Sequence, residues 1–307
     1  MRSTSVTSAA YLPAVVVLLF SFHMHRTDAH ASSVDSSRPS VPMSATRRLP
    51  SDLEVGGDLE GFPTGTTRFV TLDSLLALPL VTYTVTDDPN FSAPTKISGI
   101  ALEDLAPLLG AEPSAGLLIA ICDDKYRATY PRAYLKEHHP LLVLLVNGEP
   151  PSRWPKDLGT HRYDMGPYMI SHPKFTPSFK ILSHSDEAQI PWGVVRLEFG
   201  YENAIFGALA PRAPRAGEAS VQAGYKIAQQ HCFHCHNTGP ESEQKSGRPW
   251  LVLAAFASAA PEYFSAYVRD PKKENAQAQM PGNSGYDDAT LRALRDYFAT
   301  LAPPEKR

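Results

Sequence analysis

The chain is 307 residues long, with 29 basic and 32 acidic residues, a net charge of −3, 28 prolines and three cysteines. Removing residues 1–31, which read as a cleaved leader, takes away Arg2, Arg26 and Asp28 and leaves 27 basic and 31 acidic residues. That mildly acidic balance speaks against a nucleic-acid partner and a polybasic membrane patch, and the roughly 275 residues that remain suffice for two domains.

In chain order, a polar start with Arg2 precedes an apolar run from Tyr11 to Phe22 and then Ala29-His30-Ala31. This is the pattern of a secretory signal peptide with a small-residue cleavage site, the alternative being an uncleaved anchor, and the run is short for a membrane span. No later stretch is long and apolar enough to span, so no transmembrane segment is expected in the mature chain. Residues 32–60 are rich in Ser, Pro and Arg with little apolar periodicity and read as a flexible linker.

Residues 61–202 read as an α+β domain. Leu80 to Thr86 alternates and is β-branched, a strand signal. Ile100 to Gly110 reads as a short helix ending in Gly. Gly116–Cys122, Leu141–Val146 before the turn Asn147-Gly148, and Val194–Phe199 read as further strands. Short strands mixed with helices predict an α+β fold. Residues 203–218 read as an Ala/Pro linker, and 219–305 as an all-α domain. Its predicted helices run over Val221–Gln230 and Asp287–Leu301, the latter capped by Asp287 or Asp288, with Leu291, Leu294, Tyr297, Phe298 and Leu301 on one face.

The chemistry concentrates at Cys232-Phe233-His234-Cys235-His236, which has the Cys-x-x-Cys-His form of a c-type haem attachment site. Two thiols three positions apart on a turn can each form a thioether to one haem vinyl group. His236 then falls beneath the iron as axial ligand. The alternatives are half of a zinc site and a redox dithiol. The first lacks a second ligand pair, because Cys122 lies far upstream; the second expects the motif to open a helix, whereas here it follows one. Met280, in Gln279-Met280-Pro281-Gly282, is the only Met after position 169 and is expected as the distal ligand, the alternative being a surface Met. His231 and His234 read as bystanders.

With Gly224-Tyr225, Cys232-Phe233-His234-Cys235-His236, Met280-Pro281 and Tyr297 on the page, residues 219–303 resemble a class I cytochrome c domain. The resemblance implies one covalent haem c, and a close crossing of first and last helices at Gly224 and Tyr297. Such haem is attached outside the cytoplasmic membrane, so a periplasmic or otherwise exported protein is expected, with redox proteins of that compartment as partners.

Residues 61–202 resemble the molybdopterin-binding domain of the sulfite oxidase family. The resemblance rests on Thr71-Leu72-Asp73-Ser74-Leu75-Leu76, on Gly99-Ile100-Ala101-Leu102-Glu103-Asp104-Leu105, and on Asp124-Lys125-Tyr126 where that family has Asp-Gly-Tyr. The apolar strand ending in Asn147-Gly148 and the closing strand Trp192–Phe199 also match. Catalysis in that family requires a Cys thiolate on molybdenum. Residues 86–95, where it belongs, contain no Cys, and Cys122 reads as a small core residue among Leu117–Ile121. Molybdopterin is therefore not expected. Asp87 and Asp88 read as turn residues before Pro89 and His138-His139 as an exposed pair. His161 and Arg162 read as loop residues or as phosphate contacts. The expected function is electron transfer with the α+β region as docking module. The alternative is a molybdenum-dependent, sulfite-dehydrogenase-like oxidoreductase with a fused haem acceptor. A third reading, a haem-based sensor, needs Met280 to be displaced by a ligand.

Overall fold

A computed structural model describes residues 40–154, 165–174, 180–185, 189–237 and 244–303. The expected signal peptide, residues 32–39 of the expected linker, and the pair His161 and Arg162 lie outside the described residues. The chain forms a mixed α+β sheet region followed by a helical region.

The strands are β1 (Leu53–Gly57), β2 (Arg68–Val70), β3 (Val81–Val85), β4 (Thr95–Ala101), β5 (Leu117–Cys122), β6 (Arg127–Pro131), β7 (Leu141–Val146), β8 (Tyr168–Ser171), β9 (Lys180–Ile181), β10 (His184–Ser185) and β11 (Trp192–Gly200). Short helices α1 (Leu72–Leu76), α2 (Leu102–Leu108) and α3 (Arg132–His138) lie between them. The main sheet runs β2-β1-β11-β8-β7-β4-β3, with β5 joining β11 to β6. Long β11 is the organising strand: it pairs in parallel with β1 and antiparallel with β5 and β8. The helix expected from Ile100 starts later, at Leu102, because Ile100 and Ala101 still pair with β7. At Gly99, beside a register shift, a Cβ would stand 2.1 Å from the Leu142 carbonyl oxygen, so only glycine permits this approach.

The linker expected over 32–60 requires correction. Residues 53–57 are a strand, and Leu53 and Val55 are fully buried. A five-residue strand that enters the sheet by parallel pairing to residues some 140 positions later leaves no local periodicity to read.

The helical region contains α4 (Glu202–Phe206), α5 (Ala219–Gln230), α6 (Trp250–Ala259), α7 (Pro261–Arg269), α8 (Pro271–Glu274) and α9 (Asp288–Thr300). Asp287 caps α9 by accepting from the Thr290 amide at 2.9 Å. The expected face of α9 is buried at Leu291, Leu294, Tyr297, Phe298 and Leu301. α5 crosses α9 so closely that a Cβ on Gly224 would lie 1.9 Å from the Ala293 carbonyl oxygen and 2.8 Å from Tyr297 Cβ. The stretch read as an Ala/Pro linker carries α4 and two 3-10 turns, and it buries Phe206 and Leu209 in the helical core. Tyr297 fixes it there by donating to the Leu209 carbonyl at 2.6 Å.

β5 serves both regions. Leu118, Ala120 and Cys122 face the sheet core, while Leu117 and Ile119, with Ile121 beside them, pack among the helices. The two-residue period of a strand thus lets one segment seal two cores.

Candidate functional site

The site is built by the end of α5 and the turn after it. Cys232 and Phe233 donate their amides to the Ala228 carbonyl at 2.9 and 3.0 Å, and His236 donates back to the Cys232 carbonyl at 2.9 Å. Phe233 anchors the turn; it is buried, with its ring 6.2 Å from Tyr297 and 6.3 Å from Phe298. A turn pinned at both ends places the two thiols on one wall, and neither is in a disulfide.

Cys232, Cys235, His236 and Met280 all line one cavity of about 690 Å³. Much of the remaining wall is apolar, with Val252, Leu253, Phe264, Val268 and Phe298 among its residues. The volume lies in the range of cofactor pockets. Burial pushes the Cys232 thiol up to about 12 and raises that of Cys235 as well. A redox dithiol calls for the opposite shift, toward thiolate. Among the described residues, no three His, Cys, Asp or Glu side chains gather closely enough to hold a metal ion.

His236 is oriented by a hydrogen bond from its ring. Its Nδ1 lies 2.6 Å from the Arg248 carbonyl oxygen, an acceptor only, so Nδ1 carries the proton and Nε2 keeps its lone pair. Burial lowers its pKa and keeps the ring neutral. Met280 rides on a segment braced at both sides: Ala278 donates to the Asn275 carbonyl at 2.9 Å, and the Asn283 side chain donates to the Val268 carbonyl at 3.1 Å. The residues therefore fit a haem c: two thiols on one turn, a neutral imidazole with one nitrogen free, a thioether and an apolar enclosure.

The other candidates separate differently. His231 also lines the cavity and stacks edge-on to Tyr286 at 6.0 Å. His234 is buried and turned toward the sheet region, where its Nδ1 meets the Tyr126 hydroxyl at 2.7 Å. Cys122 is 3 % exposed in the sheet core, and burial pushes its thiol well above the usual range. Of the pair expected to be exposed, His139 is so and bonds Glu103 at 2.6 Å, whereas His138 packs on the Tyr134 ring at 4.3 Å.

Sequence reasoning missed a buried polar cluster in the sheet region. Asp88 does begin a turn, accepting from the Asn90 amide at 2.8 Å, but it is also buried and accepts from Ser171 Oγ at 2.5 Å. Next to Ser171, His172 is 2 % exposed. The Tyr134 hydroxyl accepts from the Gln189 amide at 2.8 Å and is hydrogen-bonded to His172 Nε2 at 2.9 Å. Nδ1 of His172 has no partner among the described residues, and burial pushes the ring's pKa down to about 3. A pairing across 83 positions, Asp88 to Ser171, gives no signal that local patterns could reveal.

No protein-family model matches the chain, and no curated protein matches it. A solved structure with a distant likeness is the sulfane dehydrogenase SoxCD from Paracoccus pantotrophus, at 15 % identity and a TM-score of 0.34 over 56 % of this chain. The match spans 45 % of that structure's chain, and at this level it carries no argument about function.

Proposed function

We propose that this protein is an electron carrier with one covalently bound haem c, whose sheet region serves as a docking module. The observation that carries this reading is the convergence of Cys232, Cys235, His236 and Met280 on a single, largely apolar cavity. When bound, the haem supplies reversible one-electron transfer at iron. Cys232 and Cys235 would hold the haem through thioethers, and His236 Nε2 and the Met280 sulfur would be its iron ligands. The Arg248 carbonyl orients His236 and raises its basicity as a ligand. The thioether donor and the apolar walls both favour a high potential. Redox proteins of the periplasm, or of the compartment to which the chain is exported, are the proposed partners. Among the described residues, no helix is long and apolar enough to cross a membrane.

The test is the full chain matured in an exporting host. It should carry haem that resists acid–organic extraction, lost in the Cys232→Ser, Cys235→Ser double variant. In the oxidised protein a weak far-red Met–iron band should vanish in Met280→Ala, and the potential should fall. Stoichiometric zinc with no covalent haem would sink the reading.

A second reading, a molybdopterin-dependent oxidoreductase with a fused haem acceptor, draws on the buried Asp88–Ser171 and Tyr134–His172 pairs of the sheet region. These are oxygen and nitrogen donors, a poor substitute for the thiolate that molybdenum needs. Metal analysis separates the two: iron alone supports the carrier, while molybdenum lost in Cys122→Ser would support the enzyme.

A further inference from the structure

The turn between β5 and β6 is joined to the attachment loop by several independent contacts. Tyr126 Oη lies 2.7 Å from His234 Nδ1, and the two rings are 5.0 Å apart. The Arg127 amide donates to the His234 carbonyl at 3.0 Å. Lys245 pairs with Asp124 and places its ammonium 5.4 Å from the Tyr126 ring centroid. The turn is itself braced: Lys125 and Tyr126 close it on Cys122 by backbone bonds of 2.9 Å, and Asp124 accepts from the Tyr126 amide at 2.9 Å. Lys125 holds φ +71°, a left-handed conformation that L residues resist. Strain of this kind persists where the surroundings over-determine the backbone.

His234 is 2 % exposed, and its Nε2 has no partner among the described residues. The Tyr126 hydroxyl is thus its sole ring partner there. His234 lies between Cys232 and Cys235, and Cys235 and Lys245 both line the cavity.

We propose that Tyr126 is a positioning residue for the attachment loop. Through His234 it holds the cavity wall beside Cys235 closed to water, and so the sheet region sets the reduction potential of the group bound there. This rests on the haem reading above. Without the hydroxyl, a buried imidazole keeps neither ring partner, and such a group either recruits water or moves. Both outcomes open the wall. A wetter site of higher dielectric favours the oxidised form, which carries the extra positive charge, so the potential falls. The docking module would then act on the redox centre as well as on partners.

The test is a double-mutant cycle on the haem-loaded full chain, read by potentiometric titration of the haem spectrum. Tyr126→Phe keeps the ring and is expected to retain haem and both axial ligands while lowering the potential. In a His234→Leu background, where no buried imidazole needs the hydroxyl, Tyr126→Phe should cause no further shift. Equal potentials for wild type and Tyr126→Phe, or the same shift in both backgrounds, would overturn the proposal. If Tyr126→Phe alone fails to yield haem protein, recovery in the double variant supports it and failure there overturns it. Absence of covalent haem from the wild type would instead overturn the carrier reading, and this one with it.

Discussion

Around the helical cavity, Cys232, Cys235, His236 and Met280 face a common space, and the side-chain hydrogen bond of His236 to Arg248 leaves Nε2 available. In the sheet region, Asp88, Ser171, Tyr134, Gln189 and His172 close their hydrogen bonds largely on one another. Both places are buried and rich in heteroatoms. What separates them is that the first presents soft donors to a volume and the second stitches loops to strands. The difference teaches that burial of a polar group is weak evidence for a ligand, whereas convergence of donors on enclosed space is stronger.

The largest effect should come from the frame of the cavity. Gly224→Val would drive side-chain atoms into the Ala293 carbonyl at the α5–α9 crossing, where even a Cβ has no room. The expected loss is about 3 kcal/mol or more, seen as a lower denaturant midpoint and reduced haem yield. Unchanged stability would mean that the helices do not meet there.

The sheet cluster offers a sharper contrast through pH. Burial raises the Asp88 pKa above 3.8, outweighing its hydrogen bonds with Ser171 and Asn90. A carboxyl with a raised folded-state pKa contributes stability that is fully present below the unfolded value and is lost as pH rises through the folded one. Asp88→Asn removes the titration. Relative to wild type it should therefore gain stability as pH increases from below 3.8 toward neutrality. Asp88→Ala, which strands Ser171, should cost about 1–3 kcal/mol. Thermal melts of the three proteins at acidic and neutral pH decide the matter: parallel curves for wild type and Asp88→Asn would show that the cluster is not what burial makes it.

The smallest effect belongs to the turn that joins the two regions. Lys125→Gly relieves a left-handed backbone at φ +71° but adds unfolded-state entropy. The two partly cancel, leaving a gain of up to about 1 kcal/mol. Hydrogen exchange at Tyr126 and Arg127 should stay slow if the turn remains docked on His234, and faster exchange would show that Lys125 does more than occupy a glycine position.

Much was legible because it is local. The face of α9 follows from a 3.6-residue period and its start from the Asp287 side chain. β3, β5 and β7 follow from short apolar or alternating runs between turn residues. The closeness of α5 and α9 at Gly224 and Tyr297 was expected from the family resemblance and not from any local pattern. α6 went unread because Trp250–Ala259 is apolar almost all round, which erases the helical period. β1 was taken for linker because its order comes from β11.

By itself the sequence determined the Cys-x-x-Cys-His spacing, the Met in its Pro/Gly loop and the order of sheet region before helices. Each is set by chemistry within a few residues. Tertiary structure alone decided that Met280 shares a cavity with Cys232, that Phe206 and Leu209 belong to the helical core, and that Asp88 bonds Ser171. It alone decided that Tyr126 holds His234 across 108 positions. The physical reason is common to all of these: a long-range contact is chosen by the packing of whole elements, in which each residue's own preference is a small term, so nothing near it in the chain records the partner.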